Sequence, residues 1–195
     1  MSTPCTSSAL CALLLCASAN QLCRAADAMQ PRSEASPGIW REHEYVFHFL
    51  GVTSTYSCDG LGEQLRRLLR ETGARADARV TPLCSLGPNK PDRLAQAQLR
   101  FWSLVPSKSA SPGSPLVPGV WWHIQWRQTR GQSATAAGPG CELVQEFSNV
   151  VLPLFTTRDQ HSDFSCTPNQ ASSFTLSFDV FRPAPNDREA LKSRS

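Results

Sequence analysis

Four cysteines in the body of the chain, Cys58, Cys84, Cys141 and Cys166, have the side chains best able to do chemistry, as thiolate nucleophiles, metal ligands or disulfide partners. They fall into two like-built pairs. Between Cys58 and Cys84 lie 25 residues, and between Cys141 and Cys166 lie 24. Each first cysteine is followed by an acid, Asp59 or Glu142, and an amphipathic run; each second one precedes a Pro-Asn turn and an alternating segment. Four cysteines allow three pairings, and the matched contexts select Cys58 with Cys84 and Cys141 with Cys166. A thiol at the start of a helix can be acidified into a redox nucleophile, but no C-x-x-C is present to complete that geometry. No two cysteines or histidines are spaced as a close zinc-ligand pair either. The cysteines therefore read as staples, each closing a loop that stabilises by roughly 3 to 4 kcal/mol in the chain-entropy model.

The other reactive residues carry no recognisable constellation. His43, His48, His123 and His161 never form the H-x-x-x-H pair that sets two ligands on one helical turn. There is no G-x-S-x-G elbow and no phosphate-binding G-x-x-x-x-G-K-S/T loop. Asp59, Glu63 and Glu71 share a helix face with arginines, the pattern of a solvated surface. No catalytic residue, metal ligand or cofactor is assigned. What does stand out is a concentration of Trp and Arg, the residue types enriched at binding hot spots. Arg100 and Trp102 lie on one alternating segment, and Trp121, His123 and Arg127 on another.

The elements that position them follow from periodicity. Residues 45–52 read as a strand, and residues 59–72 as a helix whose stripe is Leu61, Leu65, Leu68 and Leu69, closed by Gly73. Residues 79–84 form a short strand with Pro82 near its end. In residues 95–104, Ala95, Ala97, Leu99 and Phe101 point one way, and Gln96, Gln98, Arg100 and Trp102 the other. After a Pro/Ser/Gly stretch, residues 120–128 give a strand and residues 142–154 a helix with Val144, Phe147, Val151 and Leu154 along its stripe. Residues 163–166 and 174–180 close the pattern as two further strands. The order strand, helix, strand, strand occurs twice. An α+β fold is expected, with two tandem repeats and both helices on one face of a mostly antiparallel sheet of about six strands. The expected divisions are a leader over 1–28, a flexible lead-in over 29–42, a first repeat over 43–105, a linker over 106–119, a second repeat over 120–183 and a frayed tail over 184–195.

The 195 residues carry a net charge of +3, with sixteen Arg and three Lys spread along the chain rather than clustered. That argues against a nucleic-acid footprint, which needs a basic stripe. Residues 9–19 are an uncharged apolar run of 11, too short to span a bilayer and suited to a secretory signal. Its removal would take Cys5, Cys11, Cys16 and Cys23 with it and leave an even set of four, which in a periplasmic or secreted protein reads as two disulfides. No other window reads as a membrane span.

The motifs Tyr56-Ser57-Cys58-Asp59-Gly60-Leu61, Gly140-Cys141-Glu142-Leu143-Val144 and Val151-Leu152-Pro153-Leu154-Phe155 resemble those of a group of small exported proteobacterial proteins of unknown function. The resemblance covers roughly residues 45–181. It implies export and a four-cysteine scaffold, and it carries no activity. The functional expectation is a disulfide-stabilised module that binds a protein, peptide or envelope component through its Trp/Arg sheet face. The alternative is an envelope enzyme, a hydrolase or thiol redox factor, with a site assembled from scattered residues.

Overall fold

The alternation that is plain from Tyr45 onward continues well upstream of it. In the computed structural model, which describes residues 34–51, 55–83, 90–92, 94–107, 115–129, 140–167 and 172–185, the first strand is Ser36–Leu50 (β1). Residues 36–42, expected in a flexible lead-in, are thus strand. Their partner explains it: Leu94–Pro106 (β5) runs antiparallel to β1 without a break, from Gly38 opposite Pro106 to Leu50 opposite Leu94. A polar stretch such as Arg41-Glu42-His43-Glu44 has little strand preference of its own, and the paired strand beside it decides.

Tyr56–Ser57 (β2) makes a two-residue ladder with Pro91–Asp92 (β4) and leads straight into the helix Cys58–Thr72 (α1). Ser57 caps it, its hydroxyl oxygen accepting from the Gly60 N–H at 3.1 Å. Gly73 ends it in the left-handed conformation, φ 99°, and its open Cα side packs on Arg182, where a Cβ would come within 2.8 Å. The expected stripe Leu61, Leu65, Leu68 and Leu69 is wholly buried. The strand Arg79–Leu83 (β3) follows.

Val117–Gln128 (β6) also starts earlier than expected, inside the predicted linker. The second helix is Cys141–Val150 (α2), followed by a separate 3-10 turn at Leu152–Leu154 rather than a continuous helix, because Pro153 has no N–H for an α-helical bond. Thr157–Ser165 (β7) is nine residues long where four were expected, and Ser173–Pro183 (β8) closes the order. The predicted leader, residues 108–114 of the linker, Cys84 and most of the tail lie outside the described residues.

The six long strands form one antiparallel sheet in the order β3-β5-β1-β6-β8-β7. The fold is α+β, as expected. Both helices bury their stripes in one core with the inward residues of the strands: Leu65 and Leu69, Leu143 and Phe147, Ala97, Leu99 and Phe101, and Leu176 and Phe178 belong to a single cluster. Among the described residues the sheet's two halves meet over three residue pairs, Ser36 with Gly119, Pro37 with Pro118 and Gly38 with Val117. Close approach here depends on glycine. A Cβ on Gly119 would stand 2.3 Å from the Phe181 ring and 2.7 Å from Leu104, and one on Gly38 would meet the same two side chains.

Candidate functional site

On the sheet face away from the helices, the alternation of β5 places Arg100 and Trp102 outside while Leu99 and Phe101 are fully buried. The Trp102 ring is not bare. Arg75, in the turn after α1, lays its guanidinium 4.0 Å from the Trp102 ring centre and 5.8 Å from that of Trp40; Arg100 lies 5.6 Å from the Trp102 ring. The Arg75 backbone N–H donates to the Trp102 carbonyl at 3.0 Å, which holds the turn against the strand. Its guanidinium donates twice to Asp77, both bonds at 2.7 Å. Arg100 donates to Glu42 at 2.5 Å, with Glu44 at 3.5 Å. These bonds hold the Asp77 carboxyl below its ordinary range and push the Arg100 guanidinium further up. Each arginine here is matched by an acid.

Trp121, His123 and Arg127 leave β6 on the same face, while Trp122, Ile124 and Trp126 pack against the core, as the parity of the sequence predicts. Arg158 of β7 stacks on Trp121 at 4.2 Å, and Phe181 tilts against the same Trp121 side chain at 5.5 Å between ring centres. Beneath them sits Asp179, a carboxylate only 2 % exposed. A charge buried to that degree needs donors. His123 Nδ1 supplies one at 2.9 Å, and Arg158 approaches the other oxygen at 3.4 Å. Arg127 is exposed opposite Thr175 and takes no part in this cluster. Leu104 and Phe181 meet over the two glycines of the seam, so an apolar bridge joins the two Trp/Arg groups.

Sequence reasoning missed Arg75, Arg158 and Asp179. Arg75 follows a helix cap, Arg158 sits in a longer strand than the periodicity announced, and Asp179 looks like any polar position of an alternating strand. Its burial arises from Trp121, His123 and Arg158, which come from two other strands.

The His123–Asp179 pair can hold an imidazole with its proton on Nδ1 and Nε2 turned outward, the orientation a general base needs. Among the described residues the His123 side chain is partnered by the Asp179 carboxylate and by no hydroxyl or thiol, so no serine- or cysteine-type triad is formed there. A His–Ser contact lies on the core side, where His43 Nε2 and Ser103 Oγ are 2.9 Å apart. Ser103 gives its own proton to the Leu154 carbonyl, also at 2.9 Å. His43 Nε2–H must therefore donate to Ser103, the reverse of general-base activation, and the chain of bonds ties β1 and β5 to the 3-10 turn. Burial, reinforced by the Arg41 charge, lowers the His43 pKa from its ordinary 6.5. The unfolded chain binds this proton more readily than the folded one. The His43 contribution to stability is accordingly full above about pH 6.5 and declines as pH falls through that value toward the folded pKa. Denaturant unfolding at about pH 7.5 and about pH 5 is expected to show a larger acid loss for wild type than for His43→Gln. An equal loss in both would remove His43 from the account.

Cys141 and Cys166 are joined, with Cα atoms 5.6 Å apart. Cys58 is likewise disulfide-bonded, while Cys84, its expected partner, lies outside the described residues. Cys58 and Cys141 each open a helix, where a free thiol would be acidified, but in the bonded state neither is a nucleophile. No group of three or more metal-binding side chains occurs among the described residues. Nor is any helix among them long and apolar enough to cross a membrane. Fold and site thus define a disulfide-bonded α+β protein with a Trp/Arg-rich open sheet face. Compared with known proteins, the chain matches no family model, no curated protein and no solved structure.

Proposed function

We propose that the protein is an exported, non-enzymatic binding module, built from two copies of one strand, helix, strand, strand unit, that recognises a protein, peptide or envelope component on its open sheet face. Matched registers support the duplication. Gly38 pairs with Pro106 as Gly119 pairs with Pro183, and Trp40 with Leu104 as Trp121 with Phe181. The Ser107 N–H donates to Pro37 and the Ala184 N–H to Pro118, both at 2.9 Å. Pro-Gly-Ile-Trp at residues 37–40 answers Pro-Gly-Val-Trp at residues 118–121. The disulfide and the even set of four cysteines support an oxidising compartment.

The observation that carries the binding role is the pair of stacked Arg–Trp groups on one face, Arg75 on Trp102 and Arg158 on Trp121, each fixed by a carboxylate. Side chains ordered before binding lose little entropy on contact. An enzymatic role for the same face would need His123 to act as a general base on a bound substrate or water.

The double variant Trp102→Ala with Arg100→Ala tests the face. Arg100 is half exposed in a screened ion pair, so its loss is expected to cost under about 1 kcal/mol of stability, and Trp102 adds the Arg75 stack, on the order of 1 kcal/mol. Binding is expected to weaken by about 2 kcal/mol or more. Thermal melting and quantitative capture from envelope extract are measured side by side. A variant that folds and captures everything wild type does would sink the assignment of the face.

A further inference from the structure

The outer edges of the sheet carry devices that block pairing. β3 has Pro82 within its five residues, and β7 breaks register between Arg158 and His161, where Asp159 adopts φ 52°. β1 differs. Past Gly38 its inner side has no strand partner among the described residues, since β6 pairs with it only at residues 36–38. The direction of the backbone groups is fixed by one hydrogen bond: the Pro37 carbonyl accepts from Ser107, so odd-numbered residues of β1 face β5. The ladder is unbroken to Leu50, and the N–H and C=O groups of Trp40, Glu42, Glu44, Val46, His48 and Leu50 therefore point to the inner edge. No proline or bulge interrupts that edge. Val46 and Leu50 are exposed, at 42 % and 64 %.

We propose that two copies of this chain associate by antiparallel pairing of the inner edges of β1, about a two-fold axis at Tyr45. The occupant is chosen by self-complementarity. In this register Glu42 faces the partner's His48, Trp40 faces the partner's Leu50, and Glu44 faces the partner's Val46, each pair twice by symmetry. A shift of two residues one way sets Glu44 against the partner's Glu44, a repulsion on the axis. The opposite shift leaves Trp40 without a neighbour and Glu42 against the partner's Leu50. Only the central register engages the whole edge without opposing like charges.

The test is sedimentation equilibrium of the full, oxidised chain. Wild type is expected to dimerise. Glu44→Pro removes an N–H that faces the partner while leaving the β5 ladder intact, and is expected to weaken the dimer about a hundredfold through two lost hydrogen bonds. His48→Glu places a carboxylate against the partner's Glu42 twice and is expected to cost about tenfold or more, and Glu42→His added to it restores association. That charge swap decides the matter even if Glu44→Pro fails to fold. Gln125→Pro, on the inner edge of β6, leaves the dimer unchanged. A monomeric wild type overturns the proposal. So does a dimer indifferent to His48→Glu, or one that Gln125→Pro dissociates.

Discussion

Replacing Phe101 by alanine is expected to destabilise the protein by about 3 to 5 kcal/mol, the range for deleting a fully buried aromatic ring. Its position explains why the site cannot collapse around the loss. On one side the ring stacks on His43 at 5.2 Å, and on the other on Phe155 at the same distance. Phe155 follows α2 and belongs to the second half of the chain, whereas Phe101 and His43 belong to the first. The cavity would therefore open where the halves meet rather than within either. Because both helices contribute to one core, unfolding is expected to be a single transition, coincident by tryptophan fluorescence and far-ultraviolet dichroism, in wild type and variant alike. Two separated transitions, or a loss confined to one probe, would mean that the halves fold as independent units.

Removal of the Cys141–Cys166 bond by alanine at both positions is expected to cost about 3.5 kcal/mol in the chain-entropy model for a loop of this length, and to lower the melting temperature by on the order of 10 °C. The bond spans 25 positions and ties the first residue of α2 to the chain just past β7. No other covalent link holds that helix start. Gly140 offers no side-chain cap, and its N–H is satisfied from a distance by the Tyr56 hydroxyl at 2.7 Å. The double variant is thus expected to lose order first at α2, which hydrogen exchange at residues 141–150 would report. Melting unchanged from wild type would show that tertiary packing alone fixes this end of the helix. The Cys58 bond, left intact, keeps α1 as an internal reference.

Much of the molecule is legible in its sequence because its elements are amphipathic. The stripe of α1 and the two faces of β5 follow from spacing alone, since a period near four or of two sorts residues before any partner is known. The orientation of Arg100 and Trp102 and of Trp121 and His123 was legible for the same reason. The strand ends were not. Residues 36–42 and 117–119 are strand because β5 and β8 run alongside them, and a strand's outer residues gain their hydrogen bonds only from a neighbour. The long β7 carries no apolar alternation, because most of its side chains are exposed and none is buried.

The candidate site divides along the same line. The chain alone determined which face Trp102, Trp121, Trp122 and Trp126 take and which cysteines open the helices, since those properties belong to local period and position; Trp40, expected in the lead-in, was placed only by the fold. Only the tertiary structure decided what those side chains touch. Arg75 and Arg158 reach Trp102 and Trp121 from elements distant in sequence, Asp179 is buried by groups from two other strands, and past Gly38 no strand among the described residues pairs with the inner edge of β1, since β6 meets it over three pairs. Contacts between elements depend on strand order and register, which short-range periodicity does not encode.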